Sequence, residues 1–107
     1  MKSNLRWDLR KHDDVVEVSL EGDLDSTNAL DLLNALRFHL RNSINRLVLS
    51  AENLEYISSE GFKAIFHASE EAKVDSTIVL RDDDDFISDI IKETGLEDLF
   101  IIKKRSN

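Results

Sequence analysis

Two serines, a glutamate and a glycine stand in succession near the middle of the chain, at Ser58, Ser59, Glu60 and Gly61. A serine hydroxyl can carry a phosphoryl group, and at a helix start it can accept a hydrogen bond from a free backbone amide. A carboxylate in the first helical turn is stabilised by the helix dipole, by about 0.3–1 kcal/mol. These residue types therefore predict a helix start that carries negative charge, and plain N-capping is the simpler role for each serine.

The other polar residues form no catalytic or metal-binding pattern. The consecutive aspartates Asp82–Asp85 lack the spaced carboxylates and the glycine of a calcium loop, so a solvated loop before a helix is the better interpretation. His67 and Glu71 lie one helical turn apart, but two such ligands do not make a metal site. No histidine accompanies the serines in a known motif, and the chain has no cysteine. We therefore expect no enzyme activity, no cofactor and no metal.

The composition favours one small domain that binds another protein. The chain has 107 residues, 41% of them apolar, and its 22 acidic against 14 basic residues give a net charge of −8. Such a surface repels nucleic-acid phosphates and anionic lipids, so a protein partner with a basic face fits better. No apolar run is long enough to cross a membrane and no signal peptide is evident. We therefore expect a single domain over residues 1–107, without membrane insertion and located in the cytoplasm.

The first third of the chain reads as a hairpin followed by a helix. Alternating apolar residues on either side of a polar turn at 12–14 predict two antiparallel strands: Leu5, Trp7 and Leu9, then Val16, Val18 and Leu20. Residues 21–23 are expected to end the second strand. Residues 25–27 offer N-caps to a helix that ends at Asn42 and Ser43. Leu30 and Phe38 widen its apolar stripe, so we expect cover on more than one side.

Further along, strands and helices alternate. A continuous apolar run at Leu47–Leu49 predicts a strand buried on both faces. A loop is expected between this strand and the turn at Ser58–Gly61, which we call the serine turn. After it we expect a helix from about Glu60 to Lys73, a buried strand at Thr77–Leu80, a helix from Asp84 or Asp85 to Gly95, and a strand at Leu99–Ile102 before a solvated tail. The order β-β-α-β-α-β-α-β predicts an α/β fold: a small mixed, mostly parallel sheet of about five strands with three helices.

Four ordered segments resemble the STAS domain, the family of the bacterial anti-sigma factor antagonists. They are Leu20–Asp25, Leu47–Leu49 with Leu54–Ile57, Ser58–Phe62, and Thr94–Phe100. The resemblance implies a partner switch, in which the unphosphorylated domain binds an anti-sigma kinase and phosphorylation of a serine at a helix start dissociates the complex. The alternative implied by the family is the STAS subunit of a lipid-transport ABC ATPase complex.

The turn departs from the family pattern at the position that matters most. The residue before the glycine is the usual phosphate acceptor, and here it is Glu60. Ser58 stands in place of the family's aspartate, Ser59 aligns with its first serine, and Ser50 occupies a strand-end position that is often acidic or an asparagine. Three interpretations remain open: Glu60 only stabilises the helix, Glu60 imitates phosphoserine, or phosphorylation has moved to Ser59 or Ser58.

The resemblance also assigns a docking surface for a protein partner, expected to be an anti-sigma factor or serine kinase. Its residues would be Asp23, Asp25, Ser58, Ser59, Glu60, Gly61, Phe62 and Lys63. Phe62 at this spacing is more often a core residue. A homodimer through Trp7 and Leu9 is the further alternative, although cover for the end of the sheet is the preferred role for both.

Overall fold

The computed structural model describes residues 4–41 and 43–106. Its elements are β1 (Leu5–His12), β2 (Val15–Leu24), α1 (Ala29–His39), β3 (Arg46–Ile57), α2 (Ser59–Ala72), β4 (Asp75–Arg81), α3 (Asp85–Glu93), a short 3₁₀ turn (Glu97–Leu99) and β5 (Ile101–Arg105). The predicted element order and the predicted fold class, a five-stranded mixed sheet with three helices, are confirmed.

The sheet is mostly parallel and its strands follow chain order. The order is β1-β2-β3-β4-β5, with β1 antiparallel to β2 and every other neighbouring pair parallel. Right-handed crossovers between sequential parallel strands bring all the connecting helices to the same face of the sheet. Accordingly, one apolar cluster joins the three helices to strand residues such as Val18, Leu49 and Leu80. Trp7 and Leu9 are half-buried against this cluster, while the homodimer through them stays a prediction.

β2 and β3 are both longer than the sequence predicted. The expected break at residues 21–23 is wrong because β2 continues to Leu24, and the expected loop after Leu49 is wrong because β3 runs on to Ile57. The register between the two strands shifts twice, between Ser19 and Glu21 and between Gly22 and Asp23. Each irregularity places an extra residue in β3, so the alternation of buried and exposed residues that marks a strand is lost from the sequence there.

The expectations for the ends and faces of α1 also need correction. The helix begins after Asn28, not at caps supplied by 25–27, and it ends at His39. Of the predicted end residues, Ser43 lies beyond the helix and Asn42 lies outside the described residues. Leu30 and Phe38 are exposed, so the prediction of cover on more than one side is wrong for the isolated chain.

The carboxyl-terminal third is largely as predicted up to its last strand. α2 and α3 begin and end within about two residues of expectation, and Gly95 has the left-handed φ of 74° expected of a C-terminal cap. Phe86, the second residue of α3, is exposed although its neighbour Ile87 is buried. The last strand is Ile101–Arg105, so residues 103–105 pair with β4 and are not a solvated tail. An edge strand tolerates this basic run because much of it faces water.

Candidate functional site

The serine turn is held at both ends by hydrogen bonds. Ser58 is the N-cap of α2, and its Oγ accepts a hydrogen bond from the Gly61 amide at 3.0 Å. The Ser58 amide donates to the Leu24 carbonyl at 2.9 Å, and its carbonyl accepts from the Phe62 amide at 3.0 Å. The Ser58 hydroxyl therefore already has a structural role, satisfying one of the free amides of the helix start.

Gly61 and Phe62 seat the start of α2 on the core. A Cβ added to Gly61 would lie 2.8 Å from both the Cγ and the carbonyl oxygen of Leu24, so only glycine allows this close approach. The Phe62 side chain is 0% exposed, and its ring centroid lies 5.0 Å from that of Phe100. Both residues are buried, so their role in this structure is to hold the start of α2 against the core.

The outward side of the turn is acidic. Glu60 is exposed in the first turn of α2, Ser59 is half-buried, and Lys63 is exposed three residues after Glu60. Within residues 4–41 and 43–106, the Glu60 carboxylate takes part in no ion pair. Its negative charge is therefore available to a cation on a partner, and it lies at the positive end of the helix dipole.

A compact loop joins the end of β2 to α1 beside this turn. The Asp25 carboxylate accepts hydrogen bonds from the Thr27 amide at 2.9 Å and from its hydroxyl at 2.6 Å, and these bonds lower the pKa of Asp25. The Asn28 side chain donates from Nδ2 to the Asp23 backbone carbonyl at 2.9 Å. Its Oδ1 accepts a hydrogen bond from the Asp25 backbone amide at 3.0 Å. Asp25 thus shapes the loop, while Asp23 is half-buried at the strand end.

Sequence reasoning missed Asn28, which is buried at the centre of this loop. The available signal was its position, because an asparagine directly before an apolar helical stripe is a common N-cap. Here its side chain forms no such cap and instead bonds to the loop that precedes the helix.

A groove between α1 and α2 begins at the serine turn. It has a volume of about 400 Å³ and is lined by Ser26, Ala29, Leu30, Leu33, Glu60, Lys63, Ala64 and His67. Leu30 is exposed on one side of it, and Glu60 and Lys63 bring charge to the other. An apolar concavity beside an unpaired carboxylate can receive an apolar side chain together with a neighbouring cation.

Other candidates in the chain have structural explanations or no supporting geometry. Asp84, in the aspartate run, is buried and caps α3 by accepting a hydrogen bond from the Ile87 amide at 3.2 Å. In the part of the chain that the structure describes, no three His, Asp or Glu side chains are grouped as a metal site. Over the same residues, no helix is both long and apolar enough to cross a membrane.

The fold and this turn define a small α/β domain with an exposed carboxylate in the first turn of α2. The chain belongs to the STAS domain family, since the family model described as "Mlab, STAS domain" matches residues 7–103. The predicted family is thereby confirmed.

Solved structures show the same fold. An anti-sigma factor antagonist from Mycobacterium paratuberculosis is 25% identical, with a TM-score of 0.77 over 94% of this chain and 86% of its own. The unphosphorylated anti-sigma factor antagonist SpoIIAA is 10% identical, with a TM-score of 0.69 over 94% and 89%. The phosphorylated Bacillus cell fate determinant SpoIIAA is 12% identical, with a TM-score of 0.69 over 94% and 93%. The similarity to an anti-sigma factor antagonist supports a partner-switching binding role.

Proposed function

We propose that this STAS domain is a non-enzymatic regulatory module that docks an anti-sigma factor or serine-kinase-type partner, without phosphoregulation at the usual position. The observation that carries the proposal is the exposed Glu60, which lies in the first turn of α2 where family members have their acceptor serine. The partner meets a carboxylate there in every molecule, so docking no longer depends on the phosphorylation state of residue 60.

The surroundings of Glu60 support a docking role. The Ser58 cap and the close packing of Gly61 against Leu24 fix the backbone of the turn. Binding a partner through the Glu60 carboxylate therefore does not require the turn to lose conformational entropy. The groove between α1 and α2 adds apolar surface beside that charge. The proposed contact surface therefore comprises Glu60, Lys63 and Ser59 on α2, with Asp23 near the end of β2 and Asp25 on the loop that follows it.

Phosphorylation, where it occurs, falls on Ser59 in this proposal, with Ser58 as the second candidate. Ser58 is the less suitable acceptor because its hydroxyl caps the helix, and a phosphoryl group would have to preserve that bond. A phosphate on Ser59 adds about −1.5 to −2 charges beside the charge of Glu60. Incubation with a cognate kinase and ATP, followed by phosphopeptide mapping, is expected to label Ser59 or Ser58. Label on Ser26 alone would contradict this assignment.

The docking proposal is tested by measuring binding to a cognate anti-sigma kinase by calorimetry. Glu60→Lys reverses a charge at the centre of the proposed surface and is expected to weaken binding at least tenfold, which corresponds to about 1.4 kcal/mol. Glu70→Lys is the matched control, because Glu70 is an exposed acid near the other end of the same helix. Equal effects of the two substitutions would refute a surface centred on Glu60. Glu60→Ser is expected to restore an acceptor that the bound kinase can phosphorylate.

The second candidate function is a STAS subunit of a lipid-transport ABC ATPase complex. It is favoured by the glutamate at position 60, because a subunit that only stabilises an ATPase has no need of an acceptor serine. The same surface would then contact the ATPase. Co-expression with ATPase subunits distinguishes the two candidates: a stable complex that forms without kinase and is disrupted by Glu60→Lys supports the transport role.

A further inference from the structure

An aromatic pair is exposed where β3 meets α3. The ring centroids of Tyr56 and Phe86 are 5.9 Å apart with an interplanar angle of 34°. The two residues are 40% and 51% exposed. Tyr56 lies one residue before the end of β3, and Phe86 is the second residue of α3.

Three acidic residues are neighbours of this pair in strand register, in the chain or on the helix. Asp23 is the direct neighbour of Tyr56 in the register of β2 and β3, and Glu55 precedes Tyr56 in the chain. Asp89 follows Phe86 by three residues in α3, so their side chains are neighbours on the helix surface. Among the described residues, these three acids form no ion pair. We call Asp23, Glu55, Tyr56, Phe86 and Asp89 the aromatic–acid patch.

A comparison within the molecule indicates what this patch lacks. Phe38 is also an exposed ring, and the guanidinium carbon of Arg41 lies 5.5 Å from its centroid. In the part of the chain that the structure describes, no Lys or Arg lies over Tyr56 or Phe86 in the same way. Among the described residues, the aromatic–acid patch therefore has two exposed rings with no cation over them and three carboxylates without an ion pair.

We propose that the aromatic–acid patch binds an arginine side chain of the protein partner. A guanidinium stacks on aromatic faces and donates hydrogen bonds to carboxylates at the same time, so it matches both components of the patch. Exposed aromatic residues and arginine are also the types that most often dominate protein interfaces. The proposal rests on the docking role proposed above and adds a second anchor, since it names the chemistry of one partner residue.

The test uses the full chain and a probe that requires no cognate partner. The ¹⁵N-labelled protein is titrated with the peptide acetyl-Arg-Leu-Arg-amide and with the same peptide carrying citrulline, the neutral isostere of arginine. The arginine peptide is expected to shift the amide signals of Tyr56, Phe86 and Asp89 saturably, with an affinity at least about fivefold above that of the citrulline peptide. Added salt is expected to weaken its binding through screening of the carboxylates.

Variants separate a specific site from general attraction to an acidic protein. Tyr56→Leu and Phe86→Leu keep apolar area but remove a π face, and each is expected to lower the affinity about fivefold, whereas Tyr56→Phe retains it. Phe38→Leu is the matched control and is expected to change nothing at the patch. Since all these rings are exposed, thermal unfolding is expected to show intact folding of each variant.

Three outcomes would overturn the proposal: shifts spread evenly over the acidic surface, equal affinity for the citrulline peptide, or unchanged affinity in both leucine variants. None of them depends on Glu60 or on a kinase. If Glu60→Lys weakens docking of the kinase but the arginine peptide does not bind the aromatic–acid patch, the proposed function is supported and this inference is refuted. The opposite result leaves the patch in place and removes the docking role centred on Glu60.

Discussion

Substitution of Gly61 by alanine tests how tightly the start of α2 is seated on β2. The added Cβ would lie 2.8 Å from the Cγ and from the carbonyl oxygen of Leu24, where ordinary contacts are 3.4–4 Å. The carbonyl belongs to the backbone, and Leu24 is itself fully buried, so neither atom can move away freely. The start of α2 must therefore shift outward from the end of β2.

The expected loss of stability follows from two opposing effects. Overpacking a well-packed core costs about 1–3 kcal/mol. Replacing glycine by alanine inside a helix returns up to about 1 kcal/mol through helix propensity. Since one of the two close contacts is with backbone, we expect the upper part of the overpacking range, and hence a net loss of about 1–2 kcal/mol. For a domain of this size this lowers Tm by about 5–15 °C.

Urea and thermal unfolding followed by circular dichroism measure this change. The double variant with Leu24→Ala removes the Cγ contact, so it is expected to be less destabilised than the sum of the single variants. Gly95→Ala is the control for glycine loss elsewhere, because no atom lies within 4 Å of its added Cβ and its φ of 74° makes the cost purely conformational. A Gly61→Ala protein at least as stable as the parent would refute the close seating of α2.

Three further substitutions, two of them paired with a control substitution, test separate parts of the molecule. Ser58→Ala removes the cap on the Gly61 amide and is expected to lower the free energy of unfolding, measured in urea, by about 0.5–2 kcal/mol. Ser59→Ala is expected to change it by less than about 0.5 kcal/mol. Equal effects of the two substitutions would contradict the assigned cap. Phe62→Ala is expected to lower the free energy of unfolding by about 3–5 kcal/mol, because it empties a buried site. A comparable loss in Phe86→Ala would contradict the exposure of the Phe86 ring. The lowered pKa of Asp25 contributes stability that is present above its ordinary value of 3.8 and is lost as the pH falls through the lower folded value. Asp25→Asn should therefore reduce the acid sensitivity of Tm below about pH 4, and an unchanged acid profile would count against this role.

The sequence alone was sufficient for the element order and for most of the helix bounds. α2 and α3 are recognisable because a capping residue precedes each and apolar residues recur at helical spacing, both of which are local properties. The hairpin is recognisable from the alternation of apolar and polar residues in its two strands. The parallel strands are recognisable because a helix lies between each strand and the next, which requires a crossover. The family resemblance also located the serine turn and the unusual Glu60.

The sequence was misleading wherever residues distant in the chain decide the outcome. β3 continues past Leu49 because β2 pairs with it through two irregularities, and β5 extends through a basic run because β4 supplies its hydrogen bonds. Neither extension can be recognised from the pattern of apolar and polar residues in β3 or β5 itself. Leu30 and Phe86 carry apolar side chains in helices, yet both stay largely exposed, because the elements around them cover only part of each side chain.

At the candidate site, the sequence by itself determined which groups are available: a capping serine, a glycine, and a carboxylate at the start of a helix. Only the tertiary structure decided their roles. Gly61 packs closely against Leu24 and thereby sets the position of the helix start. Phe62 is buried in the core, and Glu60 remains exposed without an ion pair among the described residues. The physical reason is that chemical type is local, whereas burial and pairing depend on which strands and helices meet, and those meetings join residues far apart in the chain.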